Sequence, residues 1–482
     1  MKPRILRLAT CLSLLAFFFS SPAMADDAQI FEMVKSMQKK MDEMQKTIYQ
    51  QDQKIDQLEK RPPQIQVAPS AGTEAVPAPP MSDYEFNERL ANATGGANKW
   101  LKDLSFKGDL RLRYEAFNYD LGSSAETDDR NRFRYRLRFG WEKKFSDDMK
   151  IGFSLASGEN TGTNGLNIDP TSTNTTFDNN FNFKVINIEK AYASYSPSFL
   201  RGYGPLTKTT LIAGKHDNKF EKGSSDMIWD RDVKPEGITE TMDFKLLDTS
   251  NFDLNGWATF GQFILDEDAS TRGDANLFAY QIGLNPVIYT PLFDRPVDLT
   301  QAFSLYSYNN YARNSNFIIG GSSLARGNTN VDGVTTELDA GAFKVIESYS
   351  ELAIYPGGLP TRFHLDLAGN PASQSVAVQG ANEAFAYGFG VKLGGIVKKG
   401  DWETGYTYKH IGANAVVGAF NDSDFGDGHS GKAGHVFKAG YALTDSLTLG
   451  AAAIFVENLN AYSFGILDQK QRRFQMDLVW KF

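Results

Sequence analysis

The 482-residue chain holds one cysteine, Cys11, and five histidines. Cys11 lies in an apolar stretch from Leu8 to Phe19, after Lys2, Arg4 and Arg7 and before the small-x-small run Ala23-Met24-Ala25. This reads as a secretory signal peptide over 1–25, with the mature chain starting near Asp26; it is too short and wrongly flanked for a spanning helix. Thr10 precedes Cys11, and the cysteine sits inside the apolar core, which argues against a lipoprotein. The mature chain then has no disulfide, no thiolate nucleophile and no cysteine-held metal.

Long apolar runs are missing too. Nothing after the signal approaches the ~18 apolar residues of a transmembrane helix. Basic charge is short: without Lys2, Arg4 and Arg7, the 50 basic residues become 47 against 58 acidic, a net charge of −11. Nucleic acid is therefore not an expected partner. His216, His364, His410, His429 and His435 are scattered, and only His429 and His435 approach ligand spacing. Neither G-x-S-x-G nor H-E-x-x-H occurs. No catalytic residue, cofactor or metal is expected, and a barrel hydrolase using Asp/His pairs on loops is the one enzymatic alternative.

What is present is alternation. In the final segment Phe474, Met476, Leu478, Trp480 and Phe482 share one parity, while Arg473, Gln475, Asp477 and Lys481 take the other. Successive strand side chains point to opposite faces, so this is a strand with one apolar and one wet face. An edge strand of a soluble sandwich has the same pattern, but ending on its aromatic fits the closing strand of an outer-membrane barrel better. Aromatics at 13%, with 35 Phe, 20 Tyr and 43 Gly, agree with a lipid-facing band hidden in a hydrophilic average.

Residues 28–60 differ in kind. Ile30, Val34, Met37, Met41, Met44, Ile48, Gln51, Ile55 and Leu58 step alternately by 4 and 3. The strict stepping favours a coiled coil of about 45 Å at ~1.5 Å per residue over a lone amphipathic helix on a membrane surface. Six prolines between Arg61 and Pro80 make a semi-rigid spacer. Ser82-Asp83-Tyr84-Glu85 then opens a short helix ending near Gly95-Gly96.

From residue 100 onward strand patterning repeats. Leu104, Phe106, Leu110, Leu112 and Tyr114 alternate with polar residues, as do Phe133, Tyr135, Leu137, Phe139 and Trp141. Short connections near 145–148, 248–251, 398–400 and 443–446 intersperse with long polar ones near 117–129, 157–183, 217–237, 310–341, 369–383, 413–432 and 457–471. The expectation is all-β: a transmembrane antiparallel β-barrel of about sixteen strands over 100–482, preceded by a short α-helical coiled coil over 26–60 and a linker with a short helix over 61–99. Longer turns at 197–206 and 285–296 complete the count, and eighteen strands follow if 310–341 hides a hairpin. The barrel would sit in the cell outer membrane, with the coiled coil in the periplasm.

Several segments resemble a bacterial family called putative porins. They are Arg132–Gly140 with the following turn and strand, Asp169–Phe177, Ile188–Tyr195, Gly214–Gly237 with its Asp226-Met227-Ile228-Trp229-Asp230 centre, Ala415–Gly426 and the terminal strands. The resemblance covers roughly 100–482 in patches and is weakest from about 265 to 380. It implies an outer-membrane channel and names no substrate.

Specificity in such a barrel lies on the lumen-facing parity and on any loop that folds inward. Arg111, Arg113, Arg130, Arg132, Arg134, Arg136 and Arg138 form same-face ladders on two adjacent strands, a donor array suited to anions. The third long loop carries Asp226, Asp230, Arg231, Asp232 and Glu236 and is expected to be the constriction. The expected function is passive diffusion of small hydrophilic solutes, ions or anions through a homotrimer in outer-membrane lipid. Two alternatives stand: the arginines merely pair with Asp109, Glu115 and Glu142 inside a wet wall, or the barrel anchors a periplasmic stalk.

Overall fold

The computed structural model describes residues 103–120, 129–159, 169–267, 274–311, 326–328, 343–372, 384–459 and 470–482. The signal peptide, coiled coil, spacer and short helix expected from the sequence lie outside the described residues.

Alternating sequence becomes strand after strand. The first are β1 (Leu104–Asp120), β2 (Arg130–Lys144), β3 (Met149–Ser157), the two-residue β4 (Thr175–Thr176), β5 (Ile186–Tyr195) and β6 (Leu206–Lys215). Then follow β7 (Glu236–Asp248), β8 (Phe252–Asp266), β9 (Ala275–Ile288), β10 (Val297–Asn309), β11 (Phe343–Ile354) and β12 (Thr361–Gly369). The last are β13 (Phe385–Gly394), β14 (Trp402–Ile411), β15 (Lys432–Ala442), β16 (Leu447–Asn458) and β17 (Lys470–Lys481). Apart from β4, they form a closed antiparallel barrel of sixteen strands, each paired with its neighbour and β1 paired with β17. β10 and β11 pair directly, from Asp298↔Ala353 to Tyr308↔Phe343, so no extra hairpin enters the wall between them.

β3 spans nine residues and pairs with β2 only over Arg138–Lys144. β4 takes over where it stops, pairing Thr175 and Thr176 with Tyr135 and Arg134. A register shift at Ser154/Leu155, the mark of a β-bulge, adjusts β3 to β5. Connections of few residues alternate with longer ones, and the short ones include 355–360 between β11 and β12. The connection 267–274, between β8 and β9, lies on the side of the long ones, so 216–235 is the third there and 412–431 the seventh.

Parity sorts the wall. Phe133, Leu137 and Phe139 of β2 are exposed, whereas Arg134 on the opposite parity is buried. Phe303 and Leu305 against Ser304 and Tyr306 repeat the arrangement on β10. The exposed apolar parity is the lipid-facing band, since the closed sheet leaves no edge and satisfies its own backbone. The other parity carries a buried cluster: Phe263, Leu277, Tyr306, Tyr308 and Val345 of the wall pack with Phe220, Met227, Ile228 and Trp229 and with Val416, Val417, Ala419 and Phe425. These last two groups belong to the connections 216–235 and 412–431.

Candidate functional site

The third and seventh long connections, 216–235 and 412–431, meet each other and the inward parity of the wall. Trp229 stacks on Phe420 with centroids 5.5 Å apart and meets Tyr306 edge-on at 5.4 Å. The Asp230 amide donates to the Phe420 carbonyl at 2.7 Å, and the Ser423 amide donates to Asp230 Oδ2 at 2.8 Å. On β9, the Gln281 carboxamide donates to the carbonyls of Phe220 (2.9 Å) and Gly223 (3.1 Å). Ser225 Oγ donates to Asp366 of β12.

The acidic residues expected in the third loop go separate ways. Asp226 accepts from Lys409 of β14 at 2.8 Å and lies 3.9 Å from Lys438 of β15. Burial opposes its ionisation, but Lys409 and Lys438 outweigh it and hold its pKa below the usual carboxylate range. Asp232 pairs with Arg138 and accepts from Thr173 Oγ1 at 2.9 Å. Burial works against its charge as well, yet Arg138, Arg136 and Arg111 bring its pKa down to about 2. Asp230 is the reverse case: burial first, then Asp232 and Asp422, push its carboxyl up. Arg231 is exposed, and Glu236 is the first residue of β7, paired with Lys215 at 2.7 Å. The loop ends at 235, so Glu236 belongs to the wall and not to the loop.

The arginine ladders lie on the inward parity of β1 and β2, and most are engaged by carboxylates. Arg113 pairs with Asp477 of β17 at 2.7 Å, Asp424 at 2.9 Å and Glu115 at 3.5 Å. Glu115, fully buried, also accepts from Arg132 at 2.5 Å and faces Arg134 at 3.7 Å. Arg136 pairs with Asp109 at 2.7 Å, and Arg138 with Glu189 at 3.2 Å. Arg111 donates to Asn174 at 2.5 Å, while Arg130 is exposed at the start of β2. Glu142, counted as a partner from sequence, serves lysines instead: Lys150 at 3.1 Å and Lys107 at 3.2 Å.

Sequence reasoning missed Asp422, Asp424, Lys409 and Arg473. Lys409, almost fully buried, binds Asp226 and Asp422 (2.9 Å) together and lies 5.0 Å from the Phe425 ring. Arg473 donates to Asp424 at 3.2 Å and to Asp427. Burial disfavours the Asp424 carboxylate, yet Arg113, Arg473 and Arg111 hold its pKa well below normal. Breaking one such buried pair costs about 3–5 kcal/mol, chiefly through the charge left unpaired. A signal was available: Ala415-Val416-Val417-Gly418-Ala419-Phe420 is too apolar for a solvated outer loop.

The family model described as putative porin matches residues 122–338 and 358–482, well over half the sequence. The chain belongs to the putative porin family. The match runs through 265–338, where the resemblance read from sequence is weakest. This porin is thus an outer-membrane β-barrel channel, and its family and fold point away from an enzyme. No curated protein matches the chain. Among solved structures it is similar to Pseudomonas putida OprB at high pH, with 11% identity, TM-score 0.44, and coverage of 80% of this chain and 97% of that one. Salmonella typhi OmpF in complex with daunomycin gives 10%, 0.44, 79% and 97%. Vibrio cholerae OmpT folded in vitro gives 10%, 0.40, 79% and 97%.

Proposed function

We propose that this porin forms a water-filled channel for passive diffusion of small hydrophilic solutes or ions. The third loop folds into the barrel as the constriction, and the arginine faces of β1 and β2 line the passage. One observation carries the reading: Ser225, Asp226 and Asp232 of a single loop reach inward-parity side chains on β12, β14 and β2, strands far apart around the wall. Arg111, Arg113, Arg130, Arg132, Arg134, Arg136 and Arg138 supply the basic side of the passage. Asp226, Asp230, Asp232, Arg231 and Glu236 mark the loop and its root. We propose as well, from the sequence pattern of residues 28–60, which lie outside the described residues, that a coiled coil joins three copies.

Purified protein in a planar bilayer tests the channel directly, since a porin conducts and a mere anchor does not. Replacing Arg132, Arg134 and Arg136 by glutamine removes three cations from beside Glu115 and Asp109, so the reversal potential in a salt gradient should move toward cation preference. Replacing Asp226 and Asp232 by asparagine should move it the other way. Unchanged reversal potentials in both variants, with conductance intact, would mean these groups do not line the passage.

A further inference from the structure

The chain's own carboxylates occupy five of the seven arginines of β1 and β2, and those five side chains are 5–20% exposed. Three other inward-parity cations are far more open: Arg362 of β12, Lys392 of β13 and Lys438 of β15, at 46%, 43% and 58%. Register puts them in one row. Arg362 lies directly opposite Lys392, Lys392 opposite Gly405 of β14, and Gly405 opposite Lys438. At ~4.8 Å between strands, the two lysine backbones stand about 10 Å apart with a glycine between them.

Among the described residues, the wall strand beside that glycine is its nearest neighbour. The three atoms nearest a Cβ built on Gly405 all belong to the neighbouring wall strand, with the Val391 carbonyl at 3.4 Å and Lys392 at 3.9 Å. Two inward glycines nearby differ: Gly388 has Met227 of the third loop at 3.7 Å, and Gly440 has Ile396 of the turn after β13 at 2.9 Å. We infer that the inner wall of β12–β15 carries a subsite for a small oxyanion, seated over Gly405 between Lys392 and Lys438, with Arg362 beyond Lys392. The inference rests on the channel reading and names a solute class for it.

The chain's counter-charges here are weakly held. Glu351 lies 3.7 Å from Arg362, and Glu403 pairs with Lys392 at 2.8 Å, each contact partly exposed. Among the described residues Lys438 has Asp226 at 3.9 Å, and Lys409 holds that carboxylate more closely. Half-exposed pairs contribute about 0–1 kcal/mol, so a solute oxyanion can exchange into them. Like charges directly across a strand pair repel, as Arg362 and Lys392 do, and an oxyanion relieves this repulsion. Ammonium groups act as compact point charges, which suits a carboxylate or phosphate group without demanding one fixed orientation.

The test uses full-length protein in planar bilayers carrying chloride current, with acetate or inorganic phosphate added as probe. Either probe should reduce the current saturably, and comparison of the two tells which oxyanion the row prefers. Lys438→Gln and Lys392→Gln should each weaken the apparent affinity roughly two- to fivefold, the span of a half-exposed pair. Gly405→Leu keeps every charge but fills the notch, so it should abolish block while leaving the reversal potential in place. Equal block in wild type, the double lysine variant and Gly405→Leu would overturn the subsite. Absence of any current from the wild type would instead overturn the channel reading beneath it.

Discussion

Asp424 gathers a guanidinium from β1, another from β17 and the Gln475 carboxamide, at 2.9, 3.2 and 2.9 Å. Carboxylates held this way make acid the natural perturbant. Asp226, Asp232 and Asp424 all have depressed pKa values, so each contributes stability that is present above the ordinary value of ~3.9. That contribution is lost as pH falls through the folded value, about 2 for Asp232. Asp230 has the opposite sign: its raised pKa costs stability at neutral pH and is relieved by acid. Three groups against one decide the direction. The third and seventh loops should therefore detach between about pH 4 and pH 2, before the backbone-paired wall unfolds. Pepsin should cut within 216–235 or 412–431 at pH 2 and spare both at pH 4; equal resistance at both pH values would contradict this.

The strand is where sequence and structure speak most nearly the same language. The parity of β17 is readable residue by residue, because Phe474, Met476 and Trp480 are exposed while Arg473 and Gln475 are buried. Partners are another matter. Glu115 and Asp109 are legible beside the arginines because they sit on the neighbouring strand in register. Asp424 lies 311 positions from Arg113, and only the closed barrel with its seventh loop brings them together. Lys409 and Arg473 do not stand out in the sequence, because a lone cation on a wet strand face reads as solvated. Where β17 ends, the Gly108 amide donates to the Phe482 carbonyl at 2.8 Å, and the Phe482 amide donates back at 3.1 Å. The Phe482 ring lies where a Gly108 side chain would be. Phe482→Asp should sharply lower the yield of folded barrel, read by heat-modifiable migration on gels. Normal yield would show that this aromatic is dispensable.

For the whole molecule, the prediction concerns copy number. The 4/3 seam from Ile30 to Leu58, broken only at Gln51, motivates a trimer. Native mass spectrometry in detergent should find three copies of the full-length chain, and deleting 26–80 should leave folded barrel with a weaker trimer. Monomer alone from the full-length protein would sink the idea.

With the two-residue β4 set aside, every wall pairing but one joins consecutive strands of the sixteen. The exception is β1 with β17, whose Arg113 and Asp477 are 364 positions apart. Hairpins can zip one after another as the chain becomes available, but this seam waits for the rest of the sheet. Until it forms, two rows of backbone N–H and C=O groups lie open, inviting pairing with other chains in water. In hydrocarbon each unmet group costs several kcal/mol, so a half-inserted open sheet is not a resting place. Insertion and closure must then be one concerted late event, and a nascent chain stalled short of β17 is a species to be held or degraded rather than a partial channel.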